Sequence, residues 1–323
     1  MPSREEYDHL LAQVVEEISE RQARLLFWGV SHLTLEVLAE LRRLDLTGAV
    51  LGLADHRPQQ IGRALAGWTV LDPAAAGQLE PDCLVVGLDA EKEEALLAYA
   101  SHGRTTPRVL THGTAHYRFR DAAFDRLVRA GLVKSQAGGY PDILVHLYQV
   151  LRMIAARGLQ GDVAEFGVYK GGTTTFLARC LLDLRLGSVI YGFDTFAGFP
   201  PRRSVLDAHD DPEDEYLDEA AVRAHCSIYE NIRLVTGEIS ETCRVLEGHH
   251  LILTFFDTDN YTGTRAVLRL CAEITVPGGV IALDHYFSPQ WPTTLGERLA
   301  AKEVLTGAAW FNLHGTGIFL KAG

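Results

Sequence analysis

One segment constrains the fold of this chain more than any other. Residues 163–174, Val-Ala-Glu-Phe-Gly-Val-Tyr-Lys-Gly-Gly-Thr-Thr, form a short apolar run that ends in an acid and a glycine and continues into a glycine pair and hydroxyl residues. This pattern predicts a strand, a tight loop and a helix N-terminus whose backbone N–H groups face a ligand. A second apolar run ends at Asp194, 29 residues after Glu165, a position from which an acid reaches ribose hydroxyls. The two segments together predict a site for a nucleotide-like cofactor.

Strand-like and helix-like stretches alternate along most of the chain, which indicates parallel sheets because parallel neighbours need crossover helices. We predict a Rossmann-like domain with an N-terminal helix over residues 1–115, a helical linker over 116–140 and a larger α/β domain over 141–323. The larger domain ends in two strands, 309–313 and 317–321, that read as an antiparallel hairpin. Its predicted sheet therefore has seven strands.

Charge and cysteine content limit the partners and the compartment. The 323 residues carry a formal charge of −12, which argues against nucleic acid because non-specific binding depends on Lys and Arg. No secretion signal or apolar run of membrane-spanning length is present, so we expect a cytoplasmic protein without a membrane partner. Five scattered cysteines without Cys-x-x-Cys spacing predict free thiols: Cys83, Cys180, Cys226, Cys243 and Cys271.

Acidic side chains follow two neighbouring predicted strands. Asp257 and Asp259 come after the run at 251–256, and Asp284 and His285 come after the run at 279–283. The carboxyl ends of parallel strands share one edge of a sheet, so these side chains should converge. Three carboxylates and an imidazole predict a divalent-cation site, with Mg²⁺ the natural occupant of an oxygen-rich set. The alternative interpretation is that each acid only caps the helix that follows it.

Four blocks in this half of the chain resemble the signature blocks of the macrocin O-methyltransferase (TylF-like) family. They are Val-Ala-Glu-Phe-Gly-Val-Tyr-Lys-Gly-Gly (163–172), Asp-Thr-Phe-Ala-Gly-Phe-Pro (194–200), Asp-Thr-Asp-Asn-Tyr (257–261) and Pro-Gly-Gly followed by Asp-His-Tyr (277–286). The resemblance spans about residues 140–323. It implies a class I S-adenosylmethionine-dependent methyltransferase fold and Mg²⁺-dependent methyl transfer to a hydroxyl group of a small molecule, typically a sugar of a natural product.

The resemblance also implies roles for individual residues. It assigns Asp257 and Asp284 to the metal and makes Asp259 the general base. It places Gly237 and Glu238 beside the adenine of the cofactor. The full set of residues that it implies for cofactor binding is Glu165, Gly167, Tyr169, Gly171, Gly172, Thr173, Asp194, Thr195, Gly237, Glu238 and Asp257.

His285 departs from the family pattern, in which two adjacent aspartates are common. Imidazole is a poorer ligand for Mg²⁺ than carboxylate. Three interpretations of His285 therefore stay open. It is a ligand to a softer ion such as Mn²⁺ or Fe²⁺, or it leaves the metal to Asp257, Asp284 and Asp259 and is the base that takes the substrate proton, or it is a structural residue.

Weaker signals surround these blocks. The acids of the 207–219 segment predict either a solvated loop or a mobile lid over the site. Tyr261 and Tyr286 follow the acid cluster and are candidates for orienting a substrate. His249, His250 and His314 are expected to be structural.

The first domain has a degenerate nucleotide fingerprint. Residues 27–34 keep only Gly29 of the Gly-x-Gly-x-x-Gly pattern, although Asp55 ends the second strand. Three interpretations stay open: an auxiliary domain for subunit contacts or substrate cover, a nucleotide-binding domain, and a second catalytic centre. Ser31, His32 and Asp55 are the residues to follow. A homo-oligomer is expected.

Two alternatives to the methyltransferase interpretation also follow from the sequence. One is a nucleotide-dependent oxidoreductase or sugar-modifying enzyme that uses the first domain, and the other is a non-catalytic cofactor-binding protein.

Overall fold

Strands and helices alternate in two structural units, Met1–Phe119 and Arg120–Gly323. The structure, a computed structural model, describes residues 4–88, 91–113, 119, 121–138, 142–207, 218–286, 295–313 and 316–323. None of the helices within these ranges is both long and apolar enough to cross a membrane.

The first unit is a six-stranded sheet with helices on both faces. Its elements are α1 (Arg4–Arg21), β1 (Leu25–Trp28), α2 (His32–Arg43), β2 (Val50–Ala54), β3 (Ala64–Leu65), β4 (Trp68–Leu71), α3 (Pro73–Ala76), β5 (Cys83–Val86), α4 (Lys92–His102) and β6 (Arg108–Thr111). The strand order is β3-β4-β2-β1-β5-β6. Among the described strand pairs of this sheet, β3–β4 alone is antiparallel, a short hairpin that the sequence pattern did not predict.

Central strand β1 shows why this sheet is covered on both faces. All four of its residues are buried, as in strands of parallel sheets packed on two sides. Leu25 and Phe27 belong to one apolar cluster, whereas Leu26 and Trp28 belong to the opposite one, because successive side chains of a strand point to opposite faces.

The second unit contains the seven-stranded sheet. Its elements are α5 (Ala122–Arg129), α6 (Ile143–Ala156), β7 (Asp162–Phe166), α7 (Gly172–Asp183), β8 (Ile190–Asp194), α8 (Glu219–Cys226), β9 (Ile232–Thr236), α9 (Ile239–Thr242), β10 (Leu251–Phe256), α10 (Thr262–Ile274), β11 (Thr275–Leu283), α11 (Gly296–Val304), β12 (Trp310–Leu313) and β13 (Ile318–Lys321). The order is β12-β13-β11-β10-β7-β8-β9, and β13 runs antiparallel to both its neighbours. The predicted fold, with a terminal hairpin closing a parallel sheet, is confirmed.

Helix α5 lies in the segment predicted as a linker, yet it packs within the second unit. The Phe124 and Phe176 rings lie 5.9 Å apart, and Arg179 Nε donates to the carbonyl oxygen of Leu127 at 2.9 Å. The domain bounds inferred from sequence stay a proposal. All five cysteines are free and buried.

Candidate active site

The register of three strands brings the candidate residues to one level at the carboxyl edge of the second sheet. Phe166 of β7 pairs with Phe256 of β10, and Phe256 pairs with Leu283 of β11. The next residues continue this alignment, because Asp257 N donates to Phe166 O at 2.8 Å and Asp284 N donates to Phe256 O at 2.9 Å. The predicted convergence of strand-end acids therefore arises from strand register.

The loop after β7 adopts a conformation that requires its glycines. Gly167 has a φ of +94°, and a Cβ there would lie 1.9 Å from the carbonyl oxygen of Asp257. Gly171 has a φ of +78° and caps α7. Tyr169 also has a positive φ, +50°, which is unfavourable for a residue with a side chain and is typical of functional loops.

Glu165 is a fully buried carboxylate at the end of β7. Its exposed fraction is 0%, and neither carboxylate oxygen has a hydrogen-bond partner among the described residues. Burial raises the pKa of Glu165 to about 8; the nearby Thr174 hydroxyl opposes this rise, and the charge of Asp194 adds to it. A buried acid without a partner is costly, so the site is suited to a cofactor that brings its own ammonium group, as S-adenosylmethionine does.

Asp194 ties the second strand to the same loop. Its two carboxylate oxygens accept from Tyr169 N and Phe196 N, each at 2.8 Å, and burial raises its pKa. Each oxygen keeps further acceptor capacity, which a ribose hydroxyl can use. Thr195 Oγ1 donates to Gly198 O at 2.6 Å, so its hydroxyl shapes the adjoining turn.

Other candidate cofactor residues are held by contacts within the second unit. Thr173 Oγ1 lies 2.7 Å from Ser135 Oγ, and a Cβ on Gly172 would lie 2.5 Å from the carbonyl oxygen of Lys134. Glu238, which follows Gly237 (φ +133°), lies 3.6 Å from Arg203 and lines a small cleft with Asn260 and Gly263.

The acid cluster surrounds one imidazole nitrogen. His285 Nδ1 lies 2.9 Å from Asp259 Oδ1, 3.4 Å from Asp284 Oδ2 and 3.6 Å from Asp257 Oδ1. Burial and the charges of Asp284 and Asp259 raise the pKa of Asp257 well above its ordinary value. Asp284 Oδ2 also accepts from Gly138 N at 2.9 Å. This arrangement concentrates negative charge in a partly buried space: the side chain of Asp284 is fully buried, whereas those of Asp257, Asp259 and His285 are 17–26% exposed.

The same cluster changes the proton affinity of His285. Burial lowers the pKa of this imidazole, but the neighbouring Asp259, Glu297 and Asp284 outweigh burial and raise it to about 9. His285 Nδ1 and Asp259 Oδ1 are close but not aligned for a hydrogen bond, and neither has another such partner among the described residues. One ligand atom each from Asp257, Asp259 and His285 lies within 4.8 Å of the others. The donor set therefore fits a divalent cation that accepts both oxygen and nitrogen ligands.

The sequence analysis did not predict the roles of two buried acids, Glu297 and Asp207. Glu297 on α11 is 0% exposed and bonds to the segments that carry Asp259 and His285. The available signal was its position: it shares the helix face of buried Ala300 and Ala301, three and four residues further on. Asp207 is 3% exposed and accepts from Tyr261 N and Thr262 N at the start of α10. It caps a helix, so the acidic segment does not begin as a solvated loop, and residues 208–217 lie outside the described ranges.

The structure turns several weaker candidates away from the acid cluster. Tyr261 Oη donates to Glu303 at 2.5 Å, and the Tyr286 ring packs edge-on against Phe319. His249 Nδ1 lies 2.8 Å from Asp162 Oδ2, whereas His250 is exposed. His314 lies outside the described residues.

In the first unit, groups of the chain itself contact Gly29 and Asp55. Leu88 Cγ lies 2.2 Å from where a Cβ on Gly29 would stand, so only glycine fits at this position against Leu88. Asp55 is fully buried and accepts from Val30 N and from the Arg57 backbone and guanidinium. Those hydrogen bonds hold the pKa of Asp55 below its usual value against the effect of burial. The groups that would grip a ribose are therefore engaged within the chain.

Two other candidate residues of the first unit are also accounted for. Ser31 caps α2 by accepting from Thr34 N. The side chain of His32 is 81% exposed beside Glu36. Neither arrangement favours a nucleotide site.

Comparisons with known proteins place the similarity in the second unit. The family model Macrocin-O-methyltransferase (TylF) matches residues 121–305. The mycinamicin III 3''-O-methyltransferase of Micromonospora griseorubida is 30% identical over 148 residues, which cover 41% of this chain and 58% of that enzyme. The chain thus aligns with less than two thirds of this relative's length.

The solved structures that match this chain include two methyltransferases. The calicheamicin methyltransferase CalS11 is 23% identical, with 62% of this chain and 90% of that chain covered and a TM-score of 0.46. The O-methyltransferase NovP is 17% identical, with 56% and 79% covered and a TM-score of 0.44.

Proposed function

This chain belongs to the macrocin-O-methyltransferase family, and we propose that it is an O-methyltransferase that uses S-adenosylmethionine and a divalent cation. Its acceptor is a hydroxyl oxygen of a small molecule, a sugar or a glycosylated natural product. The mycinamicin 3''-O-methyltransferase relative supports the acceptor class. The observation that carries the proposal is the cluster of Asp257, Asp259, Asp284 and His285, in which one imidazole nitrogen lies within 3.6 Å of three carboxylates.

The glycine loop and the neighbouring strand ends would hold the cofactor. Glu165 would pair with its ammonium group, and Asp194 would accept from its ribose hydroxyls while it keeps the backbone of Tyr169 in place. Gly237 and Glu238, after β9, would lie beside the adenine. S-adenosylmethionine, when bound, would supply the electrophilic methyl group for the acceptor oxygen, with its sulfur as the leaving group.

Asp257, Asp284 and His285 would hold the cation; Asp284 is included because the family resemblance implies it, whereas Asp259, the third member of the cluster of possible ligand atoms, is given another role. We assign His285 to ligation because its Nδ1 points into the carboxylate set rather than away from it; an imidazole among carboxylates favours Mn²⁺ more than Mg²⁺. A cation held there would supply positive charge that favours loss of the acceptor hydroxyl proton. Asp259 would accept the hydroxyl proton, since a carboxylate beside the reacting oxygen is positioned for general-base work.

Calorimetric titration followed by methyl-transfer assays tests this proposal. The protein should bind S-adenosylmethionine with micromolar affinity, about −8 kcal/mol. With a radiolabelled methyl donor and a panel of glycosylated acceptors, transfer should stop on chelation and return with Mn²⁺. Asp257→Asn should reduce transfer by about 100-fold or more, since removal of a metal-site group typically costs at least that much. Asp183→Asn, an exposed change at the end of α7, is the matched control. Absence of cofactor binding, or transfer that survives both chelation and Asp257→Asn, would refute the proposal.

We propose a reducing, cytoplasmic setting, which five free and buried cysteines support. The homo-oligomeric state stays a prediction that sedimentation velocity checks.

A further inference from the structure

Glu297 joins two segments that lie far apart in sequence. Its Oε1 accepts from Thr258 N at 2.5 Å, from Thr258 Oγ1 at 3.1 Å and from Asp259 N at 3.1 Å. Its Oε2 accepts from His285 N at 3.3 Å. One carboxylate therefore bridges the residues that follow β10 and those that follow β11, and it does so without any exposed surface.

We propose that Glu297 is a positioning residue that sets the separation between the Asp257–Asp259 segment and the Asp284–His285 segment, so that one divalent cation can contact both. The inference rests on the proposed metal-dependent function. In this proposal Glu297 holds the two segments through hydrogen bonds and is not itself a ligand of the cation, because its Oε1 already accepts from three donors.

The placement of α11 makes this bridge possible. A Cβ on Gly296 would lie 2.5 Å from Tyr261 N, so only glycine lets the start of the helix approach the β10 loop so closely. Glu297 is then buried on the same helix face as Ala300 and Ala301, whose small side chains permit tight packing. The helix brings a charged group into the interior, where each acceptor needs a donor.

The backbone at Asp259 also needs this support. Its φ is +54°, in the left-handed region that costs energy for a residue with a Cβ. Such a conformation persists only where the surroundings determine it, and the bond from Asp259 N to Glu297 is one such restraint. Loss of the bond should let Asp259 turn away from His285 Nδ1, which now lies 2.9 Å from it.

Two variants with a control on the same helix test the inference. Glu297→Gln is nearly isosteric, but its NH₂ group would face an N–H donor on one of the two segments, so one segment is released. Glu297→Asp keeps the charge but is one methylene too short to reach both. Glu303→Gln removes an acid from α11 that bonds only to the side chains of Tyr261 and Arg265 among the described contacts.

The readouts are Mn²⁺ affinity by electron paramagnetic resonance of the free ion and S-adenosylmethionine affinity by calorimetry, both on the full chain. Glu297→Gln should weaken Mn²⁺ binding by about 10–100-fold, the usual effect of losing a partner that orients metal ligands, while cofactor affinity stays within about threefold. Glu297→Asp should fall between the wild type and Glu297→Gln. Glu303→Gln should match the wild type.

Each contrary outcome has a distinct meaning. If the wild type binds Mn²⁺ and Glu297→Gln binds it equally well, the positioning role is wrong and the proposed function stands. If Mn²⁺ and cofactor affinity fall together in both Glu297 variants, the residue supports the whole unit and the inference is overturned. If the wild type itself binds no Mn²⁺, the metal-dependent function and the inference fail together.

Discussion

Replacing Asp207 by alanine should destabilise the second unit by about 2–3 kcal/mol. Helix α10 has no capping side chain at Tyr261, the residue before its first turn. Asp207, which is more than 50 residues away in sequence, performs that function: its Oδ1 accepts from Tyr261 N at 3.0 Å and from Thr262 N at 2.7 Å. Its Oδ2 accepts from Thr262 Oγ1 at 2.7 Å and from Arg203 N at 3.0 Å.

The magnitude follows from these four bonds. Loss of a capping side chain costs about 1 kcal/mol, and loss of a negative charge beside a helix N-terminus costs about 0.5 kcal/mol more. Arg203 N then loses its partner in the 200–207 loop, which adds about 1 kcal/mol. Asp207→Asn keeps one carbonyl acceptor, so it should cost about half as much as alanine.

Urea unfolding, followed by the fluorescence of the four tryptophans and by circular dichroism, measures this loss. With a slope of about 2–3 kcal/mol per molar urea, the midpoint of the second unit should fall by about 1 M. Glu247→Gln, a change at an exposed acid of the same unit, is the control and should leave the midpoint unchanged.

The pH dependence gives a second check with a defined sign. Burial would raise the pKa of Asp207, but hydrogen bonds from Thr262, Arg203 and Tyr261 outweigh it and hold the pKa below 3.8. A carboxyl group whose folded-state pKa is lowered stabilises the protein above its unfolded pKa and loses that effect as the pH falls through the folded value. The difference between wild type and Asp207→Ala should therefore be constant above about pH 5 and shrink below about pH 4. A loss under about 0.5 kcal/mol at neutral pH would refute the reasoning, since ordinary surface changes reach that size.

Three further predictions follow from individual contacts. Gly167→Ala should lower the free energy of unfolding by about 3 kcal/mol or more and abolish cofactor binding, because its Cβ would meet the carbonyl oxygen of Asp257. The control Gly158→Ala, at a φ of +66° with open space around it, should cost only about 1 kcal/mol. Thermal unfolding compares the two variants. Glu165→Gln should raise the Tm of the ligand-free protein, and the gain should be larger at about pH 9 than at about pH 5. The reason is that a carboxyl group whose folded-state pKa is raised to about 8 destabilises the native state as the pH rises. Equal gains in Tm at both pH values would contradict this. Asp55→Asn should lower the free energy of unfolding of the first unit by about 2 kcal/mol. This is less than the loss expected for breaking a fully buried ion pair, because the side chain of Arg57 is 23% exposed. Urea unfolding measures the change, and an unchanged stability would show that the pair is replaceable.

Much of the fold and the main cluster could be predicted from sequence for a simple reason. The apolar runs that became β10 and β11 are each followed directly by an aspartate, and the carboxyl ends of parallel strands share one edge. Asp257, Asp259, Asp284 and His285 therefore had to lie near one another. Asp194 was found in the same way.

Other features depended on contacts that no local pattern reports. Asp55 occupies the predicted position at the end of β2, but Arg57, two residues further on, engages its carboxylate. Tyr261 follows the acid cluster in sequence, yet its hydroxyl bonds to Glu303 on α11. In each case a neighbour competes for the group that the motif would offer to a ligand.

The sequence by itself determined the alternation of strands and helices along most of the chain, the glycine loop and the edge at which the acids gather, because hydrophobic periodicity and backbone restrictions act over short distances along the chain. Only the tertiary structure decided which carboxylates lie in the acid cluster and which hold other parts of the unit in place. Asp207 caps α10, and Glu297 bridges two loops, because helix docking brings residues together that are separated by 54 and 39 positions in the chain. Such contacts arise from the packing of whole elements, and the energy that holds them is distributed over side chains that no single motif contains.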